Sequence, residues 1–327
     1  MCTAICFTSG DFYFGRNLDL DHHYQEAITV TPRNYAFQFR NGSVISNHYA
    51  MIGMATVCNG YPLYYEATNE VGLSMAGLHF PGNALYYPKA QTKDNIAPFE
   101  LIPWILSQCR NIEEAKALLS KLNLWNMPFS DEYTLTPLHW IIADKERSIV
   151  VESTEAGQQT IDDPVGVLTN NPPLPYHLTR LQEYRNLTVK EPGDAFSVEA
   201  LSLGMGAIGL PGDLSSPSRF TRAAFFKSNA AVCDTEETSV TQFFHLLDSV
   251  AQIKGLVYSA EGNPHYTVYS SCCNTVKGIY YYKTYHSTAL CTVDMHKECL
   301  DSNRLITYPM STETRTVQQN GESYDIP

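Results

Sequence analysis

The chain has 327 residues, 44% of them hydrophobic and only 17% charged, with 21 Tyr and 14 Phe. That composition supports a substantial buried core and is unlike a disordered chain. The net charge of −12 comes without a Lys/Arg cluster, so the basic face that nucleic-acid binding requires is missing, and no run approaches the ~20 apolar residues of a membrane helix.

In chain order, the first 80 residues read as short strands: TAICF, DFYFGR, AITVTP, YAFQF, HYAMIGMATV, LYYEAT and GLSMAGLHF. They are rich in β-branched and aromatic residues, and SGD, RNG and CNG supply turns between them. APFELIPWILSQCR and NIEEAKALLSKLNL then carry helical apolar spacing, with Asn111 and Glu114 as a capping pair. Strands return at LHWIIAD, SIVVEST and VGVLTN. Helical stretches follow at LPYHLTRLQEYRN, SRFTRAAFFKSNAA and SVTQFFHLLDSVAQI, and the end is β again at TVYSSCC, KGIYYYKTY and ALCTVDM. Blocks of strands and blocks of helices, rather than strict alternation, predict an α+β fold with antiparallel sheets. One domain over 1–327, with helices covering two sheets, accommodates the order.

The N-terminus lacks a basic region followed by an apolar stretch, so it does not read as a signal peptide, and a cytoplasmic protein is expected. The nine cysteines (2, 6, 58, 109, 233, 272, 273, 291 and 299) are then expected to be mostly reduced. An odd count fits no complete disulfide framework, and the absence of a C-x-x-C pair or close Cys/His cluster speaks against structural zinc.

Cys2 raises a sharper question. Removal of Met1 would put its thiol and a free α-amine on one residue. An α-amine has a pKa of about 7.7–8.0, suited to general-base work, and a nucleophile so equipped needs no histidine. Position alone favours an ordinary cysteine in an edge strand, and Cys6 in the same run supports that reading. Arg16 and Asp19 weigh against it. DFYFGR reads as a strand folding back on residues 3–7, which brings Arg16 close to Cys2. A guanidinium favours a thiolate and a carboxylate can hold an ammonium. Three residues apart, the two side chains take opposite faces of a regular strand; both reach Cys2 only if the strand ends or bulges near Asn17.

MCT at the start, FGRNLDL, NEVGLSMAGLHFP, LHWIIAD, VLTNNP and GLPGDLSSPSRF together resemble the choloylglycine hydrolase family, in order from residue 1 to about 310. That family includes bile salt hydrolases and penicillin V acylases among the N-terminal-nucleophile hydrolases. The resemblance implies a four-layer αββα sandwich and amide hydrolysis with Cys2 as nucleophile and no metal or organic cofactor. It matches Arg16 and Asp19 to the family's active-site pair, Asn170 to its oxyanion-hole Asn and Arg219 to its distal Arg. Read without it, Asn170 before Asn171-Pro172-Pro173 is a turn former and Arg219 a polar helix start. His79 departs from the pattern, standing where bile salt hydrolases carry Asn and penicillin V acylases often Tyr. An imidazole can donate one N–H in its place or titrate near neutral pH; it can equally only fill space.

Conjugated bile acids are the substrates implied, and Leu18, Cys58, Tyr65, Phe129 and Tyr133 are the candidate pocket residues. CNGYPLYYEAT and WNMPFSDEYTLTP are the expected rims, Tyr/Phe-rich yet broken by Pro and Gly. Penicillin V hydrolysis, hydrolysis of other N-acyl compounds, a non-catalytic ligand carrier and a thiol-based metal or redox protein are the competing readings. A homotetramer is expected from the family alone.

Overall fold

The computed structural model describes residues 1–193, 202–259 and 261–311, with 313, 314, 316, 318 and 320. Strands β1 (Cys2–Ser9) and β2 (Asp11–Leu20) form a hairpin, followed by β3 (Ala27–Thr31), the short β4 (Phe37–Gln38) and β5 (Val44–Ile45), β6 (Met51–Cys58), β7 (Tyr61–Asn69) and β8 (Ser74–His79). After β9 (Asp94–Ile96) come helices α1 (Leu101–Leu106) and α2 (Ile112–Leu119), then β10 (Leu122–Leu124), β11 (Leu138–Ala143), β12 (Ser148–Thr154), β13 (Gly157–Asp163) and β14 (Val167–Leu168). Helices α3 (Leu174–Arg180), α4 (Ser216–Asn229) and α5 (Glu236–Asp248) precede β15 (Val257–Tyr258), β16 (Pro264–Asn274), β17 (Ile279–Thr284), β18 (Cys291–Asp294) and β19 (Ile306–Pro309).

Strands β4–β5 and β9–β10 pair separately, and the remaining strands build two antiparallel sheets. One has seven strands, in the order β14-β1-β2-β16-β17-β18 with β15 beside β16; the other has eight, in the order β13-β12-β11-β8-β7-β6-β3-β19. Helices α4 and α5 pack on β1, β2 and β16, and α1 packs on β7 and β8. The sequence explains this layering. Successive strand residues face opposite ways, and in β11 Ile141 joins the core between the sheets while Trp140 and Ile142 join the core under α1 and α2. A strand covered on both faces must be apolar throughout, which is why LHWIIA shows no alternation. The result is the expected αββα sandwich. Gly15 is needed where β2 meets β16: a Cβ there would lie 1.9 Å from the Ser271 carbonyl oxygen.

Some elements differ from the sequence reading. The second predicted helix stops at Leu119, and Leu122–Leu124 instead pairs in parallel with β9. Asn111 caps α2 as expected, accepting from the Glu114 N–H at 3.0 Å. The Glu114 carboxylate, however, turns to Arg110 rather than back to the cap. Strands β13 and β19 were not expected; GQQTIDD is polar and only partly covered because it forms a sheet edge. Among the described residues no helix is long and apolar enough to cross a membrane, and all nine cysteines are free thiols.

Candidate active site

The β1–β2 register places Cys2 opposite Leu18 and Ala4 opposite Arg16. Alternation then puts the side chains of Cys2, Arg16 and Leu18 on the face turned toward the second sheet. Arg16 is fully buried there. Its Nη1 donates to the carbonyl oxygens of Gly77 at 2.6 Å and Tyr65 at 3.1 Å, both on the opposing sheet, and Nε lies 3.8 Å from Glu66. Burial pulls the guanidinium pKa down, but Cys2, Tyr269, Glu66 and Asp19 outweigh it and hold it above its usual value.

Asp19 lies on the other face of β2, which runs unbroken past Asn17. The register shift sits instead in the neighbouring β16, between Thr267 and Tyr269. Arg16 and Asp19 therefore leave β2 on opposite faces, and the bulge near Asn17 that would let both face Cys2 is absent. Asp19 is fully buried. Its Oδ1 accepts from the Thr267 hydroxyl at 2.6 Å, while Oδ2 has no partner. The Met1 ammonium donates to the Asp19 main-chain oxygen at 2.7 Å.

Asn170 arrives by strand pairing. β14 pairs with β1 through Ala4↔Leu168 and Ile5↔Val167, and continuing that register sets Asn170 opposite Cys2. Its Oδ1 accepts from the Cys2 N–H at 2.9 Å and from Arg219 at 2.7 Å, and its Nδ2 donates to the His79 carbonyl at 2.7 Å. Arg219, in the first turns of α4 and fully buried, also donates to the Cys2 carbonyl at 2.5 Å and to Thr3 Oγ1 at 2.6 Å. Of the other five candidate catalytic residues, Asn170 and Arg219 bond the Cys2 backbone, Arg16 lines the same cavity as the Cys2 thiol, Asp19 bonds the Met1 ammonium through its main chain, and His79 joins through the bond of its carbonyl to Asn170.

The thiol opens into a cavity of about 420 Å³. Leu18, Tyr65, Phe129 and Tyr133 line it as expected, with His79 and Arg16; Cys58 does not. Cys58 is the last residue of β6, and Thr56 is the residue of that strand that lines the cavity. Sequence reasoning missed Leu20, Tyr24, Phe99, Ile102, Leu138, Trp140 and His265. Phe99 packs edge-on against Phe129, with ring centroids 5.2 Å apart; only the fold brings the start of the α1 region to the 127–136 rim. His79 lines the wall rather than filling space under the sheet. Burial, then the Met1 ammonium and His265, hold it down to about 4 in the chain that carries Met1.

Four buried thiols are poor nucleophiles. Burial pushes Cys6, Cys109 and Cys273 up to about 12 and Cys272 well above the usual thiol value.

Comparison with known proteins bears on the family of the chain. Residues 2–308 match the family model described as linear amide C–N hydrolases, choloylglycine hydrolase family. The chain is 49% identical over 319 residues to the bile salt hydrolase/transferase of Lactiplantibacillus plantarum, covering 96% of this chain and 98% of that protein. It is 36% identical over 318 residues to the bile salt hydrolase/transferase of Clostridium perfringens, covering 94% and 96%. A crystal structure of the conjugated bile acid hydrolase from Clostridium perfringens superposes with a TM-score of 0.90 at 34% identity, covering 98% of this chain and all (100%) of that one. The penicillin V acylase of Agrobacterium tumefaciens, at a TM-score of 0.75, 18% identity and coverage of 94% and 90%, shares the fold. The chain belongs to the choloylglycine hydrolase family of linear amide C–N hydrolases.

Proposed function

We propose that this enzyme hydrolyses the amide bond joining a bile acid to glycine or taurine, with Cys2 as nucleophile after Met1 is removed. The observation that carries the reading is the thiol of Cys2 opening, beside Arg16, into a cavity walled by aliphatic and aromatic side chains. An amphipathic steroid acyl group wants apolar walls with few polar anchors. The names of the relatives support the same substrate class.

In this mechanism Arg16 favours the thiolate, and the α-amine of processed Cys2 takes the thiol proton. Asp19, whose second carboxylate oxygen has no partner, is assigned to hold the resulting α-ammonium. The sulfur attacks the amide carbon. One Nδ2 hydrogen of Asn170 is committed to the His79 carbonyl; the other is assigned to the oxyanion, where such a donor contributes on the order of 10²–10³ in rate. Arg219 fixes Asn170 and the Cys2 carbonyl. The C–N bond then breaks, the ammonium gives its proton to the departing nitrogen, and the acyl group remains on sulfur as a thioester. Water, deprotonated by the same amine, attacks the thioester and releases the bile acid. Leu18, Tyr65, Phe129 and Tyr133 are assigned to the acyl group.

One domain and a cytoplasmic location, expected from the sequence, and a tetramer, expected from the family, remain part of the proposal. Turnover of glycocholate, taurocholate and penicillin V by the purified protein tests the reading. Release of glycine and taurine at rates well above release from penicillin V is the expected result; hydrolysis of penicillin V alone would contradict it.

A further inference from the structure

We propose that Glu66 is a positioning residue of the reaction: its buried carboxylate stands behind Arg16, steadies the guanidinium between the two sheets and moderates the positive charge that Cys2 meets. The inference rests on the reading of Cys2 as nucleophile and adds a residue outside the substrate cavity.

Glu66 lies where a carboxylate is least expected. It belongs to β7 and pairs across the ladder with Met54 and Ala76, both members of the core between the sheets. Its exposure is 2%. An isolated charge is unfavourable in such a place, so its partners indicate its use.

Those partners come from three strands of the opposing sheet. Tyr269 donates its hydroxyl to Oε2 at 2.7 Å, and Ser271 and Tyr280 donate to Oε1 at 3.0 Å and 2.5 Å. Arg16 Nε lies 3.8 Å from Oε2. Ser271 joins the two residues a second time, since its Oγ also accepts the Arg16 main-chain N–H at 3.3 Å. Burial raises the Glu66 carboxyl above its ordinary value, while Arg16 and the three hydroxyls favour its anion. Cys273, on the same face of β16 as Tyr269 and Ser271, is the other titratable group beside it.

Arg16 is thereby held on every side except one. Its Nη1 is committed to the Tyr65 and Gly77 carbonyls, and its buried Nη2 has no partner. Arg16 lines the cavity with Cys2 and Glu66 does not, so the carboxylate lies behind the guanidinium as seen from the thiol. Among the described residues no other carboxylate forms an ion pair with Arg16. A guanidinium paired in this way favours a thiolate less than a bare one would. The moderation has a chemical use, because a thiolate's nucleophilicity falls as its pKa falls.

The test reads the thiol itself. Processed enzyme is alkylated with iodoacetamide across a pH series, with modification mapped to Cys2, in wild type, Glu66→Gln and Glu66→Asp. Glu66→Gln keeps the shape and removes the charge. The midpoint of Cys2 alkylation should then move down by about 0.5–1 pH unit, less than the 1–3 units of a directly paired charge. Glu66→Asp keeps the charge and should stay within about 0.2 unit of wild type. The other groups around the thiol are the same in each protein: His79, His265, Glu132 and the phenols of Tyr24, Tyr64, Tyr65 and Tyr133 in the cavity, Arg219 on the Cys2 carbonyl, and Asp19 on the other face of β2. Glu66→Thr, β-branched and suited to a strand, is a second neutral variant that should shift the midpoint the same way if Glu66→Gln does not fold. A midpoint that fails to fall in a folded neutral variant, or that falls as far in Glu66→Asp, would overturn the role. The alkylation needs no bile acid, so wild type that cleaves neither glycocholate nor taurocholate would overturn the hydrolase reading alone, and the midpoints would still decide the role of Glu66.

Discussion

Replacing Asn170 by alanine tests the geometry around Cys2 from two directions. The side chain serves three buried groups: the Cys2 nitrogen, Arg219 Nη2 and the His79 carbonyl. Alanine leaves all three unpaired. Hydrogen bonds to a charged group contribute about 1.5–3 kcal/mol and neutral ones about 0.5–1.5 kcal/mol. Arg219 keeps its bonds to Leu214, Thr3 and the Cys2 carbonyl, so the loss is partial, about 3–5 kcal/mol in all. That is a large share of the roughly 5–15 kcal/mol that holds a native protein together, and the melting temperature should fall by on the order of 10 °C. The rate should fall separately, by on the order of 10²–10³, through loss of the oxyanion donor. Asn170→Asp separates the two effects. It keeps an oxygen for Arg219 but has no N–H, so it should retain more stability than Asn170→Ala while losing comparable rate. Thermal unfolding by circular dichroism and glycine release from glycocholate are the assays. Asn170→Ala with turnover within about threefold of wild type would refute the assigned role.

Three further outcomes follow from particular groups. Cys2→Ser should lose most activity, because a hydroxyl is far less nucleophilic near pH 7; mapped iodoacetamide labelling should show inactivation tracking Cys2 and not the buried Cys6, Cys109, Cys272 or Cys273. Phe129→Ala should raise KM for glycocholate about 10-fold with kcat changed about threefold or less, since the ring walls the cavity against Phe99 without touching Cys2; a kcat loss at unchanged KM would contradict that placement. His177 is held down to about 4 by burial, against an ordinary value of 6.5, and accepts no proton that the unfolded chain would take between those values. Its contribution is therefore complete above about pH 6.5 and lost as pH falls toward about 4. Denaturant titrations should show His177→Phe with a shallower loss of stability over that interval than wild type; an identical slope would exclude His177 as a source.

Much of this architecture is legible in the chain because its strands and helices obey local rules. The hairpin of residues 2–20 follows from β-branched and aromatic runs on either side of SGD, and its register brings Arg16 to the same face as Cys2. Asn170 and Arg219 could be named from sequence only through family resemblance, since one resembles a turn former and the other a helix start. Their roles around Cys2 depend on the β14–β1 register and the docking of α4, which are long-range. Cys58 was misplaced because a strand end reads the same whether it turns toward a cavity or away. Phe99, Trp140 and His265 were missed because nothing local marks them; they meet only where the two sheets and the 127–136 segment come together.

Sulfur and proton acceptor sharing one terminal residue is the claim on which the mechanism stands. Intact mass and N-terminal sequencing of the active enzyme test it most directly. The account predicts that every catalytically competent molecule begins at Cys2, lighter by one methionine residue, and that molecules retaining Met1 are inert. Full turnover by protein that still carries Met1 would contradict it.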